Sequence, residues 1–294
     1  MVAYLFPGQG SQRPGMGEGL LSEPWAREIV ATAERVASLP LKKIILERPE
    51  ELSRTAVAQP AILLVEWLAC EALSRLGREP GCVVGHSLGE FAALAAAGVI
   101  PWPVAFRLVV LRGRLMERAA RENPGGMTAI LGLSEEQVAG LASQAGCYVA
   151  NLNAPGQVVV SGEGPSLRKA AELAERLGGR AVPLRVAGPF HSPYMAGAEE
   201  ELAKAIEEVE FSRPRLAFVS SVSGKVESDP EAIKSLLARQ MTSPVLWTGA
   251  LGSLEGLGVR EAWEVGPGEV LSRLGKRSNL GLRFLALKEV MGDV

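Results

Sequence analysis

Short apolar runs alternate with longer stretches of helical periodicity at both ends of the chain. The runs predict buried strands at residues 2–6, 81–85, 216–220, 262–265 and 284–287. Helices are predicted at residues 60–76, 88–97 and 103–122, the first with Pro60 in its first turn and Gly77 just past its end. This alternation predicts a mostly parallel sheet that helices cover on both faces.

Residues 123–188 show a different order of elements. A capping box from Ser134 to Gln137 opens one predicted helix. The predicted elements are strand 127–131, that helix, strands 147–152 and 157–161, helix 166–177 and strand 181–186. This βαββαβ order is that of a ferredoxin-like domain. We therefore predict a small domain, residues 125–187, inserted into a large α/β domain formed by residues 1–124 and 188–294. A ligand is expected in the cleft between the two domains.

Composition narrows the class of protein. The 294 residues are 47% hydrophobic and 22% charged, with a net charge of −2, which is typical of a globular protein and gives no reason to expect nucleic acid as a partner. Three widely spaced cysteines without a CxxC pair argue against disulfides or a metal site. The N-terminus does not resemble a signal peptide, and the apolar run 91–106 is shorter than the roughly 20 residues that span a bilayer. We expect a cytoplasmic protein that does not enter a membrane.

The sequence Gly85-His86-Ser87-Leu88-Gly89 stands between a predicted strand and a predicted helix. In this position Gly-x-Ser-x-Gly predicts a nucleophile elbow, a sharp turn that exposes the serine hydroxyl. The start of the helix adds free N–H groups and the positive end of a dipole. The alternative is a tight turn with an ordinary serine. Together with the parallel sheet, the elbow predicts an α/β-hydrolase-like core.

A serine nucleophile needs a base, and the chain has two histidines. His86 precedes Ser87 on an extended backbone, where successive side chains point to opposite sides. His191 is therefore the predicted base, the alternative being a loop histidine without a role. No carboxylate between Ser87 and His191 stands out as the third member of a triad, which disfavours a hydrolase, and a backbone carbonyl could orient the imidazole instead.

One arginine of the predicted helix 103–122 falls on its apolar side. At about 100° per residue, Arg112 lies within the apolar arc. The arginines outside it are Arg107, Arg114, Arg118 and Arg121. A buried guanidinium needs an anionic or carbonyl partner because it does not deprotonate. Two partners are open: a carboxylate of the protein, or a substrate carboxylate held by the planar fork.

The first glycine-rich turn, GQGSQRPG, differs from the GxGxxG fingerprint of dinucleotide sites. Arg13 takes the place of the third glycine, no clear helix follows closely, and no acidic residue ends a second strand at the usual distance. No bound cofactor is therefore expected. The glycines around Gln9 could instead present its N–H as an oxyanion donor beside that of Leu88.

Seven motifs occur in the order and spacing of one enzyme family: FPGQGSQ, AQPAI, GHSLGEFAAL, LVVLRGRLM, NLNAPGQVVVSG, GPFHSPYM and EVGPG. Over essentially its whole length the chain resembles the malonyl-CoA:acyl carrier protein transacylases of fatty-acid synthesis. The resemblance implies that a malonyl group passes from malonyl-CoA to the phosphopantetheine thiol of acyl carrier protein in a ping-pong cycle.

The resemblance also implies a role for each candidate residue. Ser87 would form a malonyl-serine intermediate, and His191 would take the hydroxyl proton and return it to the leaving thiol. The N–H groups of Gln9 and Leu88 would form the oxyanion hole. Arg112 would pair with the free carboxylate of the malonyl group.

Two further features come from the resemblance alone. Gln59 would lie near the site as a substrate-binding residue. A main-chain carbonyl near residues 241–247 would hold the imidazole. The family usually has Asn-Pro-Val there, whereas this chain has Ser243-Pro244-Val245, so a backbone contact carries over and a role for the asparagine side chain does not.

Three alternatives remain at this level. A serine esterase or thioesterase shares the elbow but needs an acid and does not need Arg112. An acyltransferase of a polyketide pathway, accepting methylmalonyl groups, is harder to separate, although Phe190 narrows the pocket and favours malonyl. A non-catalytic carrier-binding module would not require serine, base and arginine together.

An acidic carrier protein would dock on a basic patch. The candidates are Arg114, Arg118 and Arg121, or Arg273, Lys276 and Arg277. Such charge runs are more often simply a solvated face.

Overall fold

The computed structural model describes residues 1–292. Its strands are β1 (Val2–Phe6), β2 (Cys82–Gly85), β3 (Gly126–Leu131), β4 (Tyr148–Ala154), β5 (Gln157–Gly162), β6 (Arg180–Pro183), β7 (Ala217–Val219), β8 (Val226–Glu227), β9 (Glu261–Glu264) and β10 (Arg283–Ala286). Its α-helices are α1 (Glu18–Ser22), α2 (Arg27–Ala37), α3 (Leu41–Glu47), α4 (Thr55–Arg75), α5 (Gly89–Ala96), α6 (Trp102–Glu122), α7 (Glu135–Ala145), α8 (Gly164–Arg176), α9 (Ala196–Glu207), α10 (Pro230–Ala238), α11 (Trp247–Gly256), α12 (Val270–Gly275) and α13 (Leu287–Met291).

A six-stranded sheet forms the centre, in the order β10-β9-β1-β2-β7-β8. Its strand pairs are parallel except for β7 and β8. Strands β1 and β2 are almost entirely buried because helices cover the sheet on both faces, as expected for parallel strands. The five predicted buried strands are confirmed, each within one residue of its predicted bounds at either end. The α/β architecture is thus as the sequence predicts.

The other four strands form a separate antiparallel sheet in the order β4-β5-β3-β6. One face of this sheet packs on α7 and α8 around a small core of its own. The other face contributes Met127, Ala129, Ala150 and Val159 to the core of the central part of the molecule. The predicted capping box at the start of α7 is confirmed, since Ser134 and Gln137 exchange hydrogen bonds.

Strand β4 also attaches directly to the large part of the chain. The N–H of Leu152 donates to the carbonyl of Val245 at 2.9 Å, and the N–H of Val245 donates to the carbonyl of Ala150 at 2.8 Å. The strand is longer than predicted and ends at Ala154, whereas β6 ends at Pro183, earlier than predicted. The bonds to Val245 fix one edge of the antiparallel sheet beside the carboxyl ends of the central strands.

Helices α4 and α6 pack along each other beside the central sheet. The predicted start of α4 at Pro60 is wrong: the helix begins at Thr55, and Pro60 lies in its second turn. A proline inside a helix removes one backbone hydrogen bond, but the turn before it is almost entirely buried and comes close to α6. A Cβ atom on Gly113 would lie 3.1 Å from the carbonyl oxygen of Thr55. Packing therefore extends the helix past the proline.

The segment between the first turn and α4 folds into helices α1 to α3. Contrary to the sequence-based expectation, a helix does follow the glycine-rich turn, but α1 is only five residues long and too short for its apolar period to be seen. Helix α4 is long and apolar enough to cross a membrane, and 78% of its most apolar window is buried inside the protein. Packing within the protein accounts for that apolar surface.

Candidate active site

The turn between β2 and α5 places Ser87 at the carboxyl end of the central sheet. Ser87 has φ 53°, a left-handed conformation that is uncommon for residues other than glycine. A Cβ atom on Gly85 would lie 2.0 Å from the backbone of Gly89, and one on Gly89 would lie 2.0 Å from the carbonyl oxygen of Phe6. Both glycines are therefore needed for this tight passage from strand to helix.

His191 contacts the hydroxyl of Ser87. Its Nε2 lies 2.8 Å from Ser87 Oγ, although 104 residues separate the two in the sequence. On the other side of the ring, Nδ1 lies 3.1 Å from the carbonyl oxygen of Gln240 and 3.0 Å from that of Ser243. Two carbonyl oxygens accept hydrogen bonds only, so they fix the proton on Nδ1. Nε2 then presents its lone pair to the serine hydroxyl.

The surroundings keep the imidazole of His191 neutral. Its pKa is lowered to about 3, first by burial and then by the positive charge of Arg112. Like Ser87, His191 has a positive φ, of 54°. The other histidine is placed differently: His86 Nε2 lies 2.9 Å from Asn153 Oδ1, and its ring packs edge-on against Trp247. Of the two imidazoles, His191 is the one in contact with the hydroxyl.

Arg112 reaches the same hydroxyl from α6. The side chain is 1% exposed, and Nη2 donates to Ser87 Oγ at 3.0 Å and to Gln240 Oε1 at 3.0 Å. The guanidinium carbon lies 5.8 Å from the centre of the Phe91 ring. Burial lowers the pKa of Arg112 to about 10, and the charge of Glu90 opposes that shift. Within residues 1–292 no carboxylate forms a salt bridge with this guanidinium.

The N–H groups of Gln9 and Leu88 flank the turn. In the described part of the chain neither donates a backbone hydrogen bond outside the regular elements, and Leu88 immediately precedes α5. Gly8 allows the Gln9 loop to approach, since a Cβ atom there would lie 2.6 Å from the carbonyl oxygen of His86. The side chain of Gln59 donates to Gln9 Oε1 at 3.3 Å. Gln59 thus contacts the loop that carries Gln9.

Gln240 contacts all three of the central residues, Ser87, Arg112 and His191, and the sequence pattern does not reveal it. Its carbonyl accepts from His191, its side-chain oxygen accepts from Arg112, and Nε2 donates to the carbonyl oxygen of Ser87 at 2.9 Å. The same Nε2 donates to Glu90 Oε2 at 2.6 Å. Gln240 lies just after α10, where neither charge nor period marks it. The carbonyl that sequence comparison places within residues 241–247 is that of Ser243, and Gln240 adds a second one.

A cavity of about 900 Å³ lies between the two sheets, and Ser87, His191, Arg112, Gln9 and Gln59 are among the residues that line it. Apolar side chains of the small sheet, Met127, Ala129 and Val159, form one wall together with Phe190. Basic side chains also line it, namely Arg13, Arg185, Arg273 and Arg277. No group of three or more His, Cys, Asp and Glu side chains among residues 1–292 is placed to hold a metal ion.

The arrangement suits nucleophilic acyl transfer. A neutral imidazole accepts the proton of a hydroxyl 2.8 Å away, and two N–H groups at the turn are free to stabilise an oxyanion. The guanidinium beside the hydroxyl provides a site for a carboxylate in the acyl group.

Comparison with known proteins agrees with this chemistry. The acyl transferase domain family matches residues 3–277. A malonyl CoA-acyl carrier protein transacylase of Bacillus subtilis is 38% identical over 98% of this chain and 93% of its own length. A polyketide biosynthesis malonyl CoA-acyl carrier protein transacylase, PksC, of the same species is 39% identical over 93% of this chain and 96% of its own length.

A solved structure has the same fold throughout. The crystal structure of an acyl carrier protein S-malonyltransferase from Vibrio cholerae matches with a TM-score of 0.92 and 38% identity, over 97% of this chain and 96% of that one. With the family match covering nearly the whole sequence, this chain belongs to the acyl transferase domain family.

Proposed function

We propose that the protein transfers a malonyl group from malonyl-CoA to the phosphopantetheine thiol of acyl carrier protein. One observation carries the proposal: a single hydroxyl, Ser87 Oγ, lies 2.8 Å from a neutral imidazole and 3.0 Å from a buried guanidinium. The first pair activates a nucleophile, and the second selects an acyl group that bears a carboxylate. The relatives' names state the same donor and acceptor.

In the first step Ser87 Oγ attacks the thioester carbonyl while His191 Nε2 takes its proton. The carbonyl oxygen becomes an oxyanion that the N–H groups of Gln9 and Leu88 stabilise. The C–S bond then breaks, the thiol of CoA leaves with the proton from His191, and malonyl-serine remains. In the second step the carrier's thiol gives its proton to His191 and attacks the ester. Serine leaves and regains the proton.

Arg112 is the residue that we assign to the malonyl carboxylate. Its fork can form two parallel hydrogen bonds to a carboxylate. Gln240 holds the side chain of Arg112 beside the hydroxyl of Ser87. A carboxylate bound to Arg112 would therefore lie within the length of a malonyl group from the reacting carbonyl carbon. We also assign Gln59 to substrate binding, because it lines the same cavity and contacts Gln9.

We also propose the finer architecture that this function uses. The turn at Ser87 would act as a nucleophile elbow on an α/β-hydrolase-like core. Residues 125–187 would form a ferredoxin-like domain inserted between 1–124 and 188–294, and the antiparallel order β4-β5-β3-β6 with two helices supports this. The acyl group would bind in the cleft between the two domains, with the basic side chains of the cavity near the phosphates of the substrate.

The cellular setting is part of the same proposal. We assign the protein to fatty-acid synthesis in the cytoplasm, with CoA and the carrier's phosphopantetheine as substrates rather than resident cofactors. A polyketide pathway is the second candidate, because the polyketide relative is as similar as the first. Loading by methylmalonyl-CoA at a rate close to that of malonyl-CoA would favour the second candidate.

The proposal is tested by the release of CoA from malonyl-CoA, with and without holo acyl carrier protein. A transferase releases one burst of CoA per protein without the carrier and turns over when the carrier is added. Continuous release without the carrier would show a thioesterase, and no release at all would show a non-catalytic protein. Either result would refute the proposal.

A further inference from the structure

A buried carboxylate, three positions after Ser87 in the sequence, lies next to the proposed site. Glu90 is on the first turn of α5 and is 2% exposed. Its carboxyl group accepts hydrogen bonds from Ser220 Oγ at 2.7 Å and Ser221 Oγ at 3.0 Å, both at the end of β7, and from Gln240 Nε2 at 2.6 Å. Nothing in the two transfer steps uses this group. A buried acid in a helix that is otherwise apolar needs a reason.

The amide of Gln240 stands between this carboxyl group and Arg112. A guanidinium only donates hydrogen bonds, so it requires the amide oxygen. On the other side, the amide nitrogen of Gln240 donates a hydrogen bond to the carboxylate of Glu90. The amide therefore has one possible orientation, with its oxygen toward the positive charge and its nitrogen toward the negative one. Such an oriented dipole couples the two charges without direct contact.

Glu90 is also the acid whose charge acts on Arg112. It is the group that opposes the fall in the pKa of Arg112. The other groups facing the guanidinium are the ring of Phe91 on α5, the hydroxyl of Ser87 and the imidazole of His191, none of which is an acid. A buried charge without compensation is strongly unfavourable. Burial raises the pKa of Glu90, and the hydrogen bonds from Ser220, Gln240 and Ser221 oppose that shift. In its ionised form Glu90 supplies the compensation in the protein alone.

We propose that Glu90, acting through Gln240, is the internal counter-ion of Arg112 and competes with the carboxylate of the acyl group. This inference rests on the proposed function, in which the malonyl carboxylate pairs with Arg112. The two carboxylates would share one guanidinium, so each would weaken the attraction between Arg112 and the other. Glu90 is thus a positioning residue that keeps Arg112 in place before loading and limits how tightly the malonyl group is retained, which favours its transfer to the carrier.

The test compares melting temperatures of unloaded, malonyl-loaded and acetyl-loaded protein for wild type and Glu90→Gln. Without the internal charge, the malonyl carboxylate becomes the sole compensation of Arg112. Malonyl loading should therefore raise the melting temperature of Glu90→Gln by more than that of wild type, whereas acetyl loading should affect both equally. Ser220→Ala is the matched control: it removes one hydrogen bond to Glu90 but keeps the charge, and its malonyl shift should equal that of wild type.

An equal malonyl shift in wild type and Glu90→Gln would overturn the proposal. If Glu90→Gln does not fold, Arg112→Gln tests the same pair from the other side. That variant leaves Glu90 as the uncompensated charge, so raising the pH from about 5 to about 8 should lower its melting temperature relative to that of Arg112→Gln/Glu90→Gln, in which His191 has also lost the charge of Arg112 but the acid is absent. The same pH dependence in both proteins would also overturn the proposal. This second measurement uses no substrate, so it tests the pairing of Glu90 with Arg112 even if malonyl-CoA fails to load wild type. Such a failure would refute the proposed function, and with it the competition for Arg112, but not the pairing.

Discussion

Replacement of Arg112 by alanine should separate malonyl from acetyl transfer. The guanidinium is 1% exposed and hydrogen-bonded to Ser87 Oγ, so the malonyl carboxylate would lose a buried partner. Removing one partner of a buried, hydrogen-bonded charge pair costs about 2–5 kcal/mol. At about 1.4 kcal/mol per factor of ten, malonyl loading should slow by about 30-fold to about 4,000-fold. Acetyl-CoA has no carboxylate, so its loading should be unchanged or faster.

The assay is single-turnover acylation, followed by the mass of the intact protein at a series of times with malonyl-CoA or acetyl-CoA. Arg107→Ala on the same helix is the control, because that side chain is exposed. Arg112→Lys should give an intermediate malonyl rate, since it keeps the charge but loses the planar fork. If a folded Arg112→Ala protein lost malonyl and acetyl loading by the same factor, the assignment of Arg112 to the carboxylate would be wrong.

Three further predictions concern stability and the oxyanion loop. The pKa of His191 falls from 6.5 to about 3 on folding, so its contribution to stability is full above pH 6.5 and declines as the pH drops. The melting temperature of His191→Gln should therefore depend less on pH between about 6.5 and about 4 than that of wild type. An unchanged pH dependence would contradict the burial of a neutral imidazole. Glu66 is fully buried without a hydrogen-bond partner within residues 1–292, and burial beside Glu264 raises its pKa well above the ordinary value. Its neutral form therefore contributes to stability at low pH, and that contribution is lost as the pH rises. Glu66→Gln should therefore gain melting temperature over wild type at about pH 8 but not at about pH 4, and an equal gain at both would count against it. The new methyl group of Gly8→Ala would clash with the carbonyl of His86 and displace the N–H of Gln9, so malonyl loading should slow by about 100-fold. The control Gly197→Ala, whose methyl group would lie in open space, should load at the wild-type rate. A wild-type rate in Gly8→Ala would show that the N–H of Gln9 is not part of the oxyanion hole.

The sequence predicts the elements of this fold well where a local pattern determines them. Buried parallel strands appear as continuous apolar runs, and the capping box of α7 is complete within four residues. The start of α4 is different, because the packing of α6 against Thr55 outweighs the local effect of Pro60. Helices α1 and α3 are only five and seven residues long, so their apolar faces hardly show as a period. The 11 residues of α2 do carry an apolar face, formed by Val30, Ala33 and Ala37, which the sequence-based prediction missed.

The site residues also differ in whether a local sequence pattern marks them. Ser87 is marked by its glycines, and Arg112 by a charge within an apolar arc. Gln240 is not marked by anything local, since its importance comes from contacts with residues 49, 128 and 153 positions away. A signal for Glu90 does exist: it is the one acid within the apolar helix GEFAALAA, and the same argument that singles out Arg112 applies to it.

Peptide mapping of the protein after brief exposure to malonyl-CoA shows directly whether Ser87 carries the acyl group. We expect one malonyl group per chain, attached to Ser87, that disappears when a pantetheine thiol is added and reappears on that thiol. A malonyl group on any other residue, or one that leaves Ser87 only as free malonate, would contradict it.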